Sequence, residues 1–180
     1  MFMAAFAVTG ALIYAGANEN NTVMGESVPK EGTADASMQS FVGQKFLDLE
    51  MSDKDGNLHK LSEYAGKGNW VLVDLWASWC NPCKMEMPNV VAAYKNYHDK
   101  GFEIVGISFD REKTGWVRAI REWDMPWIHL SDLKYWQSEA VSLYNVTGIP
   151  DNLLVDPEGT IVARGLRGRA LEAKLAEIYK

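Results

Sequence analysis

The 180-residue chain has only two cysteines, three histidines and six prolines, and its 18 basic side chains are outnumbered by 24 acidic ones. Each shortage excludes something. With a formal net charge of −6 and no basic stripe, the chain lacks the cations that displace counterions from a phosphate backbone, so nucleic acid is excluded as a partner. His59, His98 and His129 are scattered and stand nowhere at metal-ligand spacing, which leaves a four-ligand zinc site without its ligands. Both cysteines fall in "LWASWCNPCKMEMP", Leu75 to Pro88, three positions apart. A Cys80–Cys83 bridge closes a tiny loop, and because the stabilisation from loop closure grows with loop length, it is a poor structural staple. Reactivity is the better reason to keep the pair.

A chain that is 47% hydrophobic and 23% charged reads as one globular domain with a full core, and its seven tryptophans read first as core. The N-terminus differs in kind. Residues 1–17, "MFMAAFAVTGALIYAGA", carry no charge and end in the small-x-small pattern Ala15-Gly16-Ala17, as in a signal peptide or a membrane anchor, although the usual basic start is missing. Residues 18–38 are polar and without period, which suits a flexible tether, and 39–180 form the folded domain. Either form of the leader places the domain outside the cytoplasm, where disulfide chemistry is permitted.

Within the domain, "FLDLEMSDKDGNLHKLSEY" has two short strand-like runs around Asp55-Gly56-Asn57, a hairpin signal. Its "DKDGN" run is a turn: the glycine is misplaced for a calcium loop and no glutamate closes it. "WVLVDLW", residues 70–76, is a continuous apolar run of the kind buried on both faces of a central sheet. Met87, Val90, Val91, Tyr94 and Tyr97 then recur at helical spacing, predicting a helix from near Cys80 toward Asp99, followed by a strand over 102–110. Trp116, Ile120 and Trp123 mark a second helix, "PWIHLSD" a short strand, and Leu133, Trp136, Ala140 and Leu143 a third helix. "NLLVD" and "TIVARGL" flank the turn Asp156-Pro157-Glu158-Gly159 as an antiparallel hairpin, and Leu171, Leu175 and Ile178 define a last helix. The sum is an α/β fold: a mixed sheet with helices on both faces.

At the start of a helix, unpaired N–H groups and the positive end of the helix dipole stabilise a thiolate at Cys80. Thiols so placed in Cys-x-x-Cys motifs have pKa values of roughly 3.5–7.5 against about 8.5 for a free thiol. Cys80 is thus the exposed, attacking sulfur, and Cys83, one turn on and partly buried, resolves the mixed disulfide. Pro82 suits a first-turn position, where its missing N–H costs nothing. Haem attachment is excluded because Lys84, not histidine, follows the second cysteine. Asp74 sits in the middle of "VLVDLW", where desolvation raises a carboxyl's pKa and makes it a proton acceptor near neutrality; Glu86 is a second candidate for moving protons. Pro150, directly before a strand, stands where a cis peptide makes a tight entry turn.

On these residues the domain resembles the thioredoxin fold and, within it, the TlpA/ResA-like extracytoplasmic thiol–disulfide oxidoreductases, from about Gln39 to the C-terminus. The motifs that carry the resemblance are Trp79-Cys80-Asn81-Pro82-Cys83-Lys84, the extension "CNPCKMEMP" with Glu86 and Pro88, and Gly148-Ile149-Pro150 as a cis-proline loop. The hairpin before residue 70 and the helix around Trp116 suit that group as well. The resemblance implies a three-layer thioredoxin-like fold with an N-terminal β-hairpin, a redox-active Cys80–Cys83 disulfide, Asp74 as the buried aspartate, and substrate contact through Trp79, Asn81, Pro82, Ile149 and Pro150. It implies no cofactor and no metal. Its partners are disulfide-containing extracytoplasmic proteins and a membrane dithiol electron donor, and the location is periplasmic or otherwise extracytoplasmic. One departure stands out: Asp151 follows the proline where a small residue is usual, a charge expected to raise the cysteine pKa values or repel acidic partners.

Two rival readings stay open. A peroxidase on the same fold wants a threonine or serine three residues before the peroxidatic cysteine, and here that position is Ala77. A non-enzymatic dithiol module, binding metal or docking a partner, is the other.

Overall fold

The computed structural model describes residues 41–180; the leader expected over 1–17 and the tether over 18–38 lie outside the described residues. The hairpin signal at Asp55-Gly56-Asn57 becomes β1 (Glu50–Ser52) and β2 (Leu58–Lys60), paired antiparallel. Asp53 closes the turn between them. Its carboxylate accepts from the Asp55 and Asn57 backbone N–H groups at 2.8 and 2.9 Å, an Asx-type turn rather than a cation loop.

The apolar run 70–76 is β3 (Trp70–Trp76), the middle strand of a five-stranded sheet. On one side it pairs in parallel with β4 (Phe102–Ser108), which pairs in parallel with β5 (Ile128–Leu130). On the other it pairs antiparallel with β6 (Asp151–Val155), whose hairpin partner is β7 (Ile161–Arg164). A central strand meets hydrogen bonds on both edges and packing on both faces, so Val71 to Val73, Leu75 and Trp76 are fully buried.

Helix α1 (Asn81–Tyr97) joins β3 to β4, and α2 (Lys113–Glu122) joins β4 to β5. Parallel crossovers share one hand, so both helices cover the same face of the sheet. Helix α4 (Arg169–Ile178) packs on α1 and belongs to that layer. The opposite face carries Tyr144, whose ring meets Phe41 edge-on at 5.7 Å while Arg164 of β7 lies over Phe41. The expected three-layer architecture is therefore present. No helix among the described residues is long and apolar enough to cross a membrane.

The third expected helix is largely absent. Residues 133–143 form a 3-10 turn (Tyr135–Gln137) and a five-residue α3 (Glu139–Leu143). Leu133 and Tyr135 have φ of 55° and 59°, left-handed values that interrupt a helix. Asp132 holds the break open: its two carboxylate oxygens accept from the Lys134 and Glu139 backbone N–H groups at 3.1 and 3.0 Å.

Candidate active site

The loop leaving β3 turns at once, with the Cys80 N–H donating to the Ala77 carbonyl at 3.1 Å. Cys80 is extended (φ −87°, ψ 101°) and caps α1, its Sγ accepting the Cys83 N–H at 3.1 Å. The donor that the helix start was expected to aim at this sulfur is thus present, and no acidic side chain sits in the first turn to oppose it. Pro82 lies in that first turn, where no intrahelical donor is needed, and with Asn81 it is exposed at the helix tip. Cys80 and Cys83 are joined in a disulfide with Cα atoms 5.2 Å apart. In this oxidised state Cys80 is 4% exposed and Cys83 1%. The exposed Cys80 expected from the sequence is a property of the reduced thiolate; in the disulfide its sulfur is buried.

Trp79 shields the same loop. It is 44% exposed, anchored by its Nε1–H donating to the Phe109 carbonyl at 3.2 Å, with its ring centroid 4.9 Å from that of Tyr135. Arg111 lies over the other aromatic of that pair, 4.4 Å from the Tyr135 centroid.

The peptide Ile149–Pro150 is cis, as the resemblance implied. Register places Asp151 beside Leu75, so the proline loop sits at the end of β3 from which the cysteine loop departs. The segment between β7 and α4 braces this corner. Asn152 accepts from the Leu166 N–H at 3.0 Å and donates to its carbonyl at 2.7 Å, and Arg167 donates to the Pro150 carbonyl. Glu86 of α1 accepts the Gly168 N–H at 2.7 Å and the Asn89 side-chain amide at 3.1 Å. Glu86 therefore ties the cysteine helix to the start of α4, a bracing contact that its place in the sequence did not reveal.

Asp74 is 3% exposed, in register with Asn152 on one side and Gly106 on the other. Among the described residues its Oδ2 has no hydrogen-bond partner. Burial, reinforced by the negative charges of Glu86 and Asp151, pushes its pKa up to about 7. Asp151 behaves differently from its expectation. Instead of facing the dithiol or a docking partner, it is buried on the opposite face of the sheet, where Arg164 Nη2 and Nε donate to its Oδ2 at 2.7 and 3.0 Å. Its influence reaches Asp74 through the sheet.

A second buried carboxylate was missed in the sequence. Asp110, just past β4, accepts from the Ser78 N–H at 3.0 Å, from Ser78 Oγ at 2.5 Å and from Ser108 Oγ at 2.6 Å. It fixes the residue before Trp79 against the end of the neighbouring strand. The only signal was an aspartate closing the apolar run "FEIVGISFD".

A sulfur pair that opens a helix beside a proline loop is a bond suited to exchange with a second thiol, because the sulfur released at the helix start is a helix-stabilised thiolate. By fold and by site the protein is a thiol–disulfide oxidoreductase with the thioredoxin architecture. The chain belongs to the AhpC/TSA family, whose model matches residues 42–164. It is 26% identical over 139 residues to the thiol-disulfide oxidoreductase ResA of Bacillus thuringiensis subsp. konkukian, 77% of each chain being covered. The crystal structure of the thioredoxin domain of a thiol-disulfide oxidoreductase from Bacteroides vulgatus superposes with a TM-score of 0.71 at 34% identity, covering 77% of this chain and 98% of that one. The solution structure of a thiol:disulfide interchange protein from a Bacteroides species gives 0.66 at 35% identity, covering 76% and 88%.

Proposed function

We propose that the protein is an extracytoplasmic protein-disulfide reductase, held by or exported through residues 1–17 on the tether 18–38, with 39–180 as its working domain. Cys80 thiolate attacks a disulfide of the partner, forming a mixed disulfide and releasing one partner thiolate, which takes up a proton. Cys83 then loses its proton to Asp74 through a water and attacks Cys80 Sγ. The partner's second thiol departs, and Cys80–Cys83 is left oxidised, two electrons having passed to the partner. A membrane dithiol protein restores the pair. Ile149 offers its backbone to the partner segment as an added strand, with Pro150, its carbonyl held by Arg167, fixing that edge and Trp79, Asn81 and Pro82 flanking the reacting sulfur. Glu86 holds α1 in place and, by its charge, keeps Asp74 inclined to take a proton.

What supports this reading most is Asp74: a carboxyl buried without a hydrogen bond to Oδ2 and with a pKa near 7, on the sheet face that α1 covers. Such a group has no structural bond to offer and is suited to proton exchange. The deciding experiment is the reduction potential of the Cys80/Cys83 couple in a dithiothreitol buffer series, run beside insulin-disulfide reduction. A value near or below about −270 mV with insulin turnover agrees with a reductase, while a value near about −120 mV makes the protein an oxidant. Peroxide consumption in the same preparations tests the peroxidase alternative, against which stands the fully buried methyl of Ala77 at the position that wants a hydroxyl.

A further inference from the structure

Asp74 does not stand alone on its face. Register aligns it with Gly106 of β4, and Gly106 in turn with His129 of β5, so the three form one row across adjacent strands. The middle position has no side chain, and the His129 ring occupies the vacancy. A Cβ on Gly106 would lie 2.5 Å from His129 Nδ1, 2.9 Å from its Cε1 and 3.0 Å from Trp76 Nε1. The two outer strands are about 10 Å apart at the backbone, twice the ordinary spacing. Because His129 Nδ1 lies over Gly106, the ring has covered one of those two spacings and stands about one strand spacing, roughly 5 Å, from the Asp74 position. Polar atoms crowd this strip: among the described residues Asp74 Oδ2, Trp76 Nε1 and both His129 ring nitrogens are buried without a well-formed hydrogen bond, the Met125 backbone being an acceptor within reach of the ring. Four such atoms together mark a place where mobile protons or water take the missing partnerships. The row also has an outlet. His129 forms part of the wall of a cleft of about 260 Å³, with Met125 and Trp127 on one side and Asp53, Lys54 and Asp55 of the β1–β2 turn on the other.

The geometry points to His129 as a positioning residue that carries the proton of Asp74 out of the protein, across the gap over Gly106 and into the cleft beside the β1–β2 turn. This rests on the role given to Asp74 above. When Asp74 has taken the proton of Cys83, it passes that proton to Nδ1 as Nε2 releases its own through the cleft wall to the water beyond, the ring nitrogens themselves being closed to solvent. Asp74 is again a carboxylate, His129 is neutral in its other tautomer, and one proton has reached solvent. Neutrality is what the surroundings impose, since burial holds the His129 pKa down at about 3. A neutral ring can relay by accepting and donating together; a charged one would be trapped. The other charges facing the row are Glu86 from α1 and Asp151 from β6, both acting on Asp74, and the Asp53, Lys54 and Asp55 group at the outlet. The alternative is a histidine that merely fills the hole above Gly106.

The two are told apart by the His129 ring ¹⁵N shifts of the full chain, followed from about pH 5 to 9 in the wild type and in Asp74→Asn. A linked ring moves with a midpoint near 7, the value of Asp74 and not its own, and becomes flat in Asp74→Asn. Shifts that are flat in the wild type, or identical in both proteins, overturn the proposal. His129→Gln keeps a polar side chain that cannot take a proton; it should slow exchange about tenfold and enlarge the solvent deuterium isotope effect, neither of which hole-filling predicts. A wild-type rate and isotope effect in His129→Gln likewise refute the relay. The shift titration reads the Asp74–His129 link whether or not Asp74 serves Cys83, whereas an unchanged turnover in Asp74→Asn sinks only the latter.

Discussion

Asp74 inside β3 and Asp110 just past the end of the neighbouring β4 are each 3% exposed and lie close to the same cysteine loop in the chain or in space, yet they are treated in opposite ways. Asp110 receives three donors, two of them hydroxyls, and serves as a pin between Ser78 and Ser108. Asp74 leaves Oδ2 bare, with the charges of Glu86 and Asp151 pressing on it. A buried carboxylate supplied with donors is structure; one denied them keeps its proton until something takes it. Asp151 is a third solution, neutralised by a guanidinium that is itself 2% exposed. The contrast separates the groups that shape the site from the group that titrates in it.

The sharpest way to break the contrast is to strip Asp151 of its partner. Arg164→Met leaves a carboxylate buried and uncompensated, and the cost should approach the upper end of the roughly 3–5 kcal/mol seen when one member of a buried pair is removed. Urea unfolding of the variant measures it. Asp151→Asn in the same chain should recover most of the loss, because the uncompensated charge, more than the missing contact, is what destabilises.

How much of this was legible depended on whether a residue's role is local. The run at 70–76, the cysteines at a helix start and the Asp55-Gly56-Asn57 turn are all written within a few residues, and they folded as read. Asp74 was legible because a charge inside an apolar run is anomalous on its face. The role of Asp110 was hidden, since its donors Ser78 and Ser108 meet it only when β3 and β4 are paired. Asp151 misled for the same reason: its partner arrives from the far arm of a hairpin, 13 residues on. The helix expected over 133–143 has the right periodicity, but Asp132 captures two backbone donors that a helix would need, and side-chain competition of that sort defeats propensity.

The next effect is a dependence on pH. Asp74 is raised from 3.8 to about 7, so between those values the unfolded chain has released a proton that the folded one retains. The stability that Asp74 contributes is therefore greatest below about pH 4, falls as pH rises toward about 7, and levels off above it, a change of about 4 kcal/mol at 1.36 kcal/mol per unit. Asp74→Asn should abolish this contribution, making the variant the more stable protein at pH 8 in urea titrations, and should lower kcat about tenfold by removing the acceptor for Cys83. A variant with wild-type kcat at every pH would leave Asp74 as an awkward core residue and nothing more.

Asp110→Asn is the gentlest probe and the one that sharpens the comparison. The amide keeps one acceptor oxygen but turns an NH2 group toward hydroxyls that were donating, so part of the pin is lost, worth about 2 kcal/mol in unfolding. Its functional consequence should differ in kind from that of Asp74→Asn. Ser78 immediately precedes Trp79, and releasing it frees the half-exposed ring that borders Cys80 without touching the route by which Cys83 loses its proton. The rate at saturating partner should stay within a few-fold of wild type while KM for a protein disulfide rises, because loop order contributes to capture before any sulfur reacts. Equal losses of kcat in both variants would mean that the two carboxylates act as one unit and that the division between pin and proton carrier is wrong.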